Sequence, residues 1–157
     1  MDDDPDSPTP TDYINNTLDG ADCSIFLELV DTPADFSSLT SVNIKIHVVP
    51  TGFVSDTCDL YAQIFQSDET TSLTDELKVA DQASSGMQTV TLTNPTASNK
   101  STWDGARVKL RWDYTIAVME GATLRATAVE FDVTYAEASS GDEDASVPSN
   151  RTLAPVA

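Results

Sequence analysis

Apolar and polar residues alternate along most of the middle of the chain, with the period of two that is typical of β-strands. The clearest example is a run in which Val42, Ile44, Ile46 and Val48 alternate with polar residues. The same alternation predicts five further strands, at 24–30, 59–65, 87–92, 108–116 and 124–135. The pattern therefore predicts a chain composed mainly of β-strands.

Turn-forming residues separate these strands, and no amphipathic helix lies between them. The segment 73–79 fits either one helical turn or a strand from Glu76 to Val79. Because parallel strands need long crossover connections, the sheets are expected to be antiparallel. Six or more strands in a chain of 157 residues predict an all-β fold, an antiparallel β-sandwich with one core.

The two ends of the chain differ from this middle part in composition. Segment 1–22 has seven acidic residues and no basic one, and segment 136–157 has four acidic residues and one basic residue. They contribute −7 and −3 to a formal net charge of −18. Such segments bury too little apolar surface to fold alone. The prediction is an acidic extended N-terminal arm at 1–22, a sandwich at 23–135 and an extended C-terminal tail at 136–157.

The charge balance excludes several classes of partner. With only 8 basic residues against 26 acidic ones, the chain lacks the cations that bind phosphate backbones or anionic membranes, so neither nucleic acid nor membrane is expected as a partner. The first residues, MDDDPDSP, lack the basic and apolar pattern of a secretory signal. Cys23 and Cys58 would form a disulfide only if two strands brought them together, which spacing alone leaves open.

No catalytic pattern is present in the sequence. The single histidine, His47, lies on the polar side of its strand, where an exposed sheet residue is expected. Metal-binding motifs, glycine-rich phosphate loops and the Gly-x-Ser-x-Gly elbow are absent. Acidic runs at 2–6, 68–69 and 142–144 offer oxygen ligands for calcium, but they lack the EF-hand spacing, so solvated segments are expected. We predict no enzyme activity, no catalytic residue, no cofactor and no metal.

Four aromatic residues allow a carbohydrate-binding interpretation. Trp103, Trp112, Tyr114 and Tyr61 could form a platform on which sugars stack. Trp112 and Tyr114 share a face with apolar residues, which favours the core for both. Trp103 precedes a strand and stays unassigned between the two interpretations.

The C-terminal third of the sandwich resembles a known family. Thr102-Trp103-Asp104-Gly105 leads into a strand, and the last strand ends in Val133-Thr134-Tyr135. This resembles the end of jelly-roll-like domains in virion structural proteins of tailed bacteriophages, over residues 24–135. The resemblance implies a jelly-roll-like sandwich without catalytic residues. Small chains of this family with arms are similar to capsid decoration or cement proteins, which bind the major capsid protein.

The resemblance directs the functional expectation to the arms. The expected partners are the major capsid protein and copies of the chain itself, as a homo-oligomer on the capsid exterior. The candidate partner-binding residues are Pro5, Pro8, Pro10, Tyr13, Ile14 and Leu18. The alternatives are a carbohydrate-binding β-sandwich module and a tail or neck adaptor protein of the virion.

Overall fold

The chain folds almost entirely into β-strands. The computed structural model describes residues 23–29, 31–32, 34, 36–53, 57–93, 95, 100–115, 122–137 and 149–153. The described residues form eight strands and one short helix: β1 (Cys23–Glu28), β2 (Phe36–Thr51), β3 (Thr57–Phe65), β4 (Leu77–Asp81), β5 (Gly86–Leu92), α1 (Lys100–Trp103), β6 (Arg107–Thr115), β7 (Thr123–Glu137) and β8 (Ser149–Leu153).

These strands form two four-stranded antiparallel sheets that pack against each other. The first sheet has the order β1-β6-β3-β4, and the second has the order β5-β2-β7-β8. The chain passes from one sheet to the other at most connections, and only β3-β4 and β7-β8 are neighbours both in sequence and in a sheet. The predicted all-β antiparallel sandwich is confirmed. The middle strands are β6 and β3 in the first sheet and β2 and β7 in the second. The edge strands are β1 and β4 in the first sheet and β5 and β8 in the second.

The core lies between the two sheets and is formed by alternating residues of the middle strands. Their inward side chains are fully buried: Val42, Ile44, Ile46 and Val48 in β2; Cys58, Leu60, Ala62 and Ile64 in β3; and Val108, Leu110 and Trp112 in β6. Each large apolar side chain contributes roughly 1.5 to 3 kcal/mol when it is fully buried. The alternation that the sequence predicts for 42–48, 59–65 and 108–112 is therefore confirmed.

Bulges in the second sheet change the alternation in two strands. In β7, His47 and Val48 of β2 lie opposite Ala128 and Ala126, so Thr127 is an extra residue. This bulge lets Leu124 and Val129, at an odd spacing, both face the core. In β2, two further register shifts lie near its start. They bring its first apolar residues, at a spacing of three, to the same core.

The strand boundaries agree with the predicted ones except at a few places. β2 begins at Phe36, well before the predicted strand at 42–48. Segment 73–79 contains no helical turn, and its strand β4 begins at Leu77. β7 ends at Glu137, two residues beyond the predicted end of the sandwich, and β8 lies within the predicted C-terminal tail. The predicted N-terminal arm, 1–22, lies outside the described residues.

Hydrogen bonds from side chains join the two sheets at one end of the core. The indole Nε1 of Trp112 donates to the Leu124 carbonyl at 2.8 Å, and the Leu124 N–H donates to the Tyr114 hydroxyl at 3.2 Å. In β2 the residue opposite Leu124 is Pro50, which has no N–H. β8 pairs with β7 only between Phe131 and Tyr135. Two side chains of the first sheet therefore form hydrogen bonds with the backbone N–H and carbonyl of Leu124 in the second sheet.

Candidate functional site

The predicted partner-binding residues cannot be placed in the structure. Pro5, Pro8, Pro10, Tyr13, Ile14 and Leu18 all lie outside the described residues. The segment that carries them nevertheless ends at Cys23, the first residue of β1, which is an edge strand of the first sheet. This edge strand is therefore the described element that follows these residues in the sequence, and the sheet face beside it is the next surface to consider.

The outward face of the first sheet is rich in aromatic and basic side chains. Its residues alternate with the buried residues of β3 and β6, and four of the eight basic residues of the chain lie here. We call this surface the cationic–aromatic face and define it by Phe26, Tyr61, Phe65, Lys78, Arg107, Lys109 and Arg111. Carboxylates contact three of the four cations, so the aromatic residues, and not a net positive charge, make this face the leading candidate for an interaction surface.

An aromatic pair on β1 and β3 holds a lysine at the centre of this face. The rings of Phe26 and Phe65 meet edge to face, with centroids 5.6 Å apart. Lys109, on the intervening strand β6, places its Nζ 6.0 Å from the Phe26 centroid and 5.9 Å from the Phe65 centroid. A cation over a ring contributes roughly 0.5 to 1 kcal/mol at an exposed site. The three strands thus contribute one side chain each to a single cluster.

Arg111 is the second cation that lies over a ring. Its guanidinium carbon is 4.3 Å from the Tyr61 ring centroid. It also donates two hydrogen bonds of 2.9 Å to Glu76, one to each carboxylate oxygen, and one of 3.0 Å to Asp113. The hydrogen bonds from Arg111 lower the pKa of Glu76, and that pairing raises the pKa of Arg111 itself. This paired geometry orients Arg111 along the sheet and occupies its donors.

The remaining cations of the face are also paired with carboxylates. Lys78 contacts Asp59 at 2.8 Å and Asp81 at 3.2 Å, and the hydrogen bond to Asp59 is the main cause of its raised pKa. Arg107 contacts Glu69. Lys109 differs, because among the described residues no carboxylate lies within salt-bridge distance of it.

The outward face of the second sheet is different in character. Its side chains are mostly polar and bind one another: Thr91 donates to Asn43 at 2.6 Å, and Lys45 contacts Asp132 at 2.9 Å and Glu130 at 3.5 Å. The hydrogen bond with Asp132 is the main cause of the raised pKa of Lys45. The two outward faces therefore differ in composition, and Phe26, Tyr61 and Phe65 lie on the outward face of the first sheet.

Trp103 lies in the core and not on a surface platform. Its side chain is 4% exposed. The following turn is held by Asp31, which accepts from the Gly105 N–H at 2.9 Å, and by Lys100, which contacts Asp104 at 2.8 Å. The positive φ of Gly105, 69°, suits glycine. Burial of Trp103 removes the main support for the carbohydrate-binding alternative.

The other candidate residues have structural roles in the described part of the chain. His47 is half-buried on the outward face of β2. Of the acidic runs, only Asp68 and Glu69 are described. Asp68 accepts hydrogen bonds from the N–H groups of Thr70 and Thr71, both at 2.9 Å, and bonds with the hydroxyl and N–H of Thr71 hold its pKa far below the usual range. No group of metal-ligating side chains occurs among the described residues.

The two cysteines are free and lie on opposite sides of β6. Cys23 is opposite Trp112, and Cys58 is opposite Tyr114. Two strand spacings separate their backbones by about 9.6 Å, beyond the limit of about 7 Å for a disulfide. Burial raises the pKa of the Cys58 thiol to about 12. This thiol is therefore protonated at neutral pH and is a poor nucleophile.

Comparisons with known proteins identify no relative. No protein-family model matches the chain, and no curated protein or solved structure matches it. In the described part of the chain, no helix is long and apolar enough to cross a membrane. Arguments about function therefore depend on the residues of this chain, and the resemblance to phage virion proteins stays a prediction.

Proposed function

We propose that the protein is a structural virion protein, a capsid decoration protein of a tailed bacteriophage without catalytic activity. The observation that supports this most directly is where the terminal segments meet the sandwich. Segment 1–22 leads into β1, an edge of the first sheet, and β8, near the other end of the chain, is an edge of the second. Edges expose backbone groups that other chains can pair with, so the first and last described strands are both positions at which strand addition is possible.

The physical properties of the chain suit this function. A sandwich with a closely packed apolar core provides a rigid body that needs no ligand to fold. Weak contacts by arms and edges add up when many copies bind a repeating lattice. The high negative charge repels nucleic acid, which suits the exterior of a particle that contains DNA. The cationic–aromatic face offers a protein neighbour a surface that combines aromatic rings with paired charges.

Location in the particle tests this proposal. An antibody raised against the full chain is applied to purified virions from the same source, together with quantitative mass spectrometry of their proteins. The proposal predicts many copies per particle and immunogold label over the capsid exterior. Label confined to the tail or neck would contradict it and support an adaptor protein. Absence of the chain from the particles would contradict both.

The role of the N-terminal arm is tested by adding protein back to particles that lack it. Deleting residues 1–22 is expected to leave the sandwich folded, because all the core residues named above lie beyond residue 22, and to abolish particle binding. A matched variant that replaces Asp2, Asp3, Asp4 and Asp6 with Asn keeps the length of the arm and removes charge. Unchanged occupancy by the deleted chain would refute the role of the arm.

A further inference from the structure

β1 is a weakly protected edge of the described sandwich. It pairs with β6 without any bulge, and its sequence, CSIFLE, has no Lys or Pro and a single charge at Glu28. The edge strand β4 carries Lys78 and has a register shift, whereas β5, like β1, has no Lys, no Pro and no register shift. Natural sheets protect their edges with such features, because an open regular edge pairs with other chains. Among the described edges, β1 and β5 are therefore the most open to strand addition, and β1 is the one that follows segment 1–22 in the sequence.

In an antiparallel pair, every second residue of a strand bonds to its neighbour, and this alternation shows which backbone groups of β1 point to the open side. Leu29, just beyond β1, donates its N–H to the Ala106 carbonyl at 2.9 Å. Because antiparallel pairs alternate between bonded and non-bonded, Ile25 and Leu27 also bond to β6. The backbone groups of Ser24, Phe26 and Glu28 then point away from β6, and no strand among the described residues pairs with them.

The sheet face beside this edge includes a lysine, Lys109, that forms no salt bridge with a described carboxylate, although its charge helps to lower the pKa of Glu76. Lys45, Lys78 and Lys100 each contact a carboxylate. Lys109, the fourth lysine, contacts the rings of Phe26 and Phe65 and no carboxylate among the described residues. An extended segment with carboxylates, bound along β1, would lie two strand spacings, about 9.6 Å, from β6, and its acidic side chains would be on the same face as this lysine.

We propose that the open edge of β1 binds the acidic segment 1–22 of a second copy of this chain as an added strand. That segment has seven carboxylates and no cation, and it includes Tyr13, Ile14 and Leu18, which can cover the half-buried Ile25 and Leu27 at the edge. The inference deepens the proposed function by naming a neighbouring copy as the partner of the arm. It applies whether or not the protein binds a capsid.

Segment 1–22 could instead pair with β1 of its own chain through a tight hairpin. The hydrogen-bonding alternation of β1 and the repulsion between acidic residues both disfavour this alternative. A two-residue turn at Asp19-Gly20 would make Ile25 a hydrogen-bonded residue of the new pair, but the backbone groups of Ile25 already bond to β6. A turn at Gly20-Ala21 has the right phase and sets Asp19 directly opposite Asp22, and like charges in that position are destabilising. A segment from another molecule avoids both problems.

Self-association of the full chain is the first test. Sedimentation velocity across a wide range of protein concentration is expected to show an oligomer that dissociates on dilution. A synthetic peptide of residues 1–22 is expected to compete and to dissociate the oligomer. A monomer at every concentration to which the peptide does not bind would overturn the proposal, and so would an oligomer that the peptide leaves intact.

A backbone variant tests the edge itself. Ser24→Pro removes one N–H that points to the open side and leaves the bonds to β6 intact. It is expected to weaken self-association about tenfold or more. The matched control is Ser24→Ala, which keeps the N–H and is expected to associate like the wild type. Equal association constants for the two variants would overturn strand addition at β1.

A charge variant tests the role of the cationic–aromatic face, and its result does not depend on whether β1 folds with a proline at position 24. Lys109→Gln is expected to weaken association about fivefold, as loss of one charge-assisted contact does. The control, Lys45→Gln, makes the same change on the outward face of the second sheet and is expected to have no effect. Equal effects of the two changes would show a dependence on net charge alone and would overturn a specific role for Lys109.

Discussion

The hydrogen bond from Trp112 to Leu124 allows a quantitative test of how the two sheets are joined. Trp112 is fully buried, and its Nε1 donates to the Leu124 carbonyl at 2.8 Å. Replacing it by Phe keeps an aromatic ring in the same place and removes the donor. Since the residue opposite Leu124 is Pro50, which has no N–H, we expect no nearby backbone donor to take its place.

The expected loss of stability follows from two contributions. A buried carbonyl left without a partner costs about 1 to 3 kcal/mol. The smaller ring loses apolar packing and leaves space in the core, which costs about 1 kcal/mol more. Trp112→Phe is therefore expected to lower the free energy of unfolding by about 2 to 4 kcal/mol. At about 4 °C per kcal/mol for a chain of this size, Tm falls by about 8 to 16 °C.

Urea and thermal unfolding followed by far-UV circular dichroism measure this change without using tryptophan fluorescence. The control is Tyr114→Phe, which removes the hydroxyl that accepts from the Leu124 N–H at 3.2 Å. Because Tyr114 is only half-buried, a loss of about 1 kcal/mol is expected there. A change within about 0.5 kcal/mol for Trp112→Phe would refute the idea that this bond joins the sheets.

Three further predictions concern single groups. Trp103 is buried, so its fluorescence should resist quenching by iodide, and added glycans should leave it unchanged; strong quenching in the native state would contradict its burial. At pH 8 a thiol reagent should modify Cys23 before Cys58, whose pKa is raised to about 12, and a fast reaction at both would contradict that value. Glu76 has a pKa lowered by Arg111, so its contribution to stability is present above about pH 4.5 and is lost as pH falls through the lowered value. Urea unfolding at a series of pH values should therefore show a smaller acid-induced loss for Arg111→Gln, and an equal loss would contradict the pairing.

The strands that the sequence predicts well are those with regular alternation. In β3, β6 and the middle of β2, each inward residue is apolar and each outward residue is mostly polar, so a period of two identifies both the strand and its buried face. Where bulges occur, the period fails. Phe36 and Leu39 face the core at a spacing of three, which does not fit the period of two of a regular strand, so alternation does not predict the start of β2.

The candidate site could not be predicted from the sequence for a different reason. Phe26, Phe65 and Lys109 meet because β1, β6 and β3 are neighbours in the first sheet, and strand order is not encoded in any local pattern. The distribution of charge along the sequence does distinguish segment 1–22, which has seven acidic residues and no basic one. The proposal of β1 as the edge that binds this segment depends on the sheet order and on which backbone groups bond to β6, and no local sequence pattern encodes either.

Hydrogen exchange at the open side of β1 measures whether a second copy of the chain binds there. In the full chain, the amides of Ser24 and Phe26 point away from β6, so only an added strand can protect them, whereas those of Ile25 and Leu27 are protected by β6 in any state. We predict that protection at Ser24 and Phe26 rises with protein concentration and falls when Lys109 is replaced by Gln. Rapid exchange at both amides at every concentration, or protection independent of concentration, would contradict the binding of a second copy at this edge.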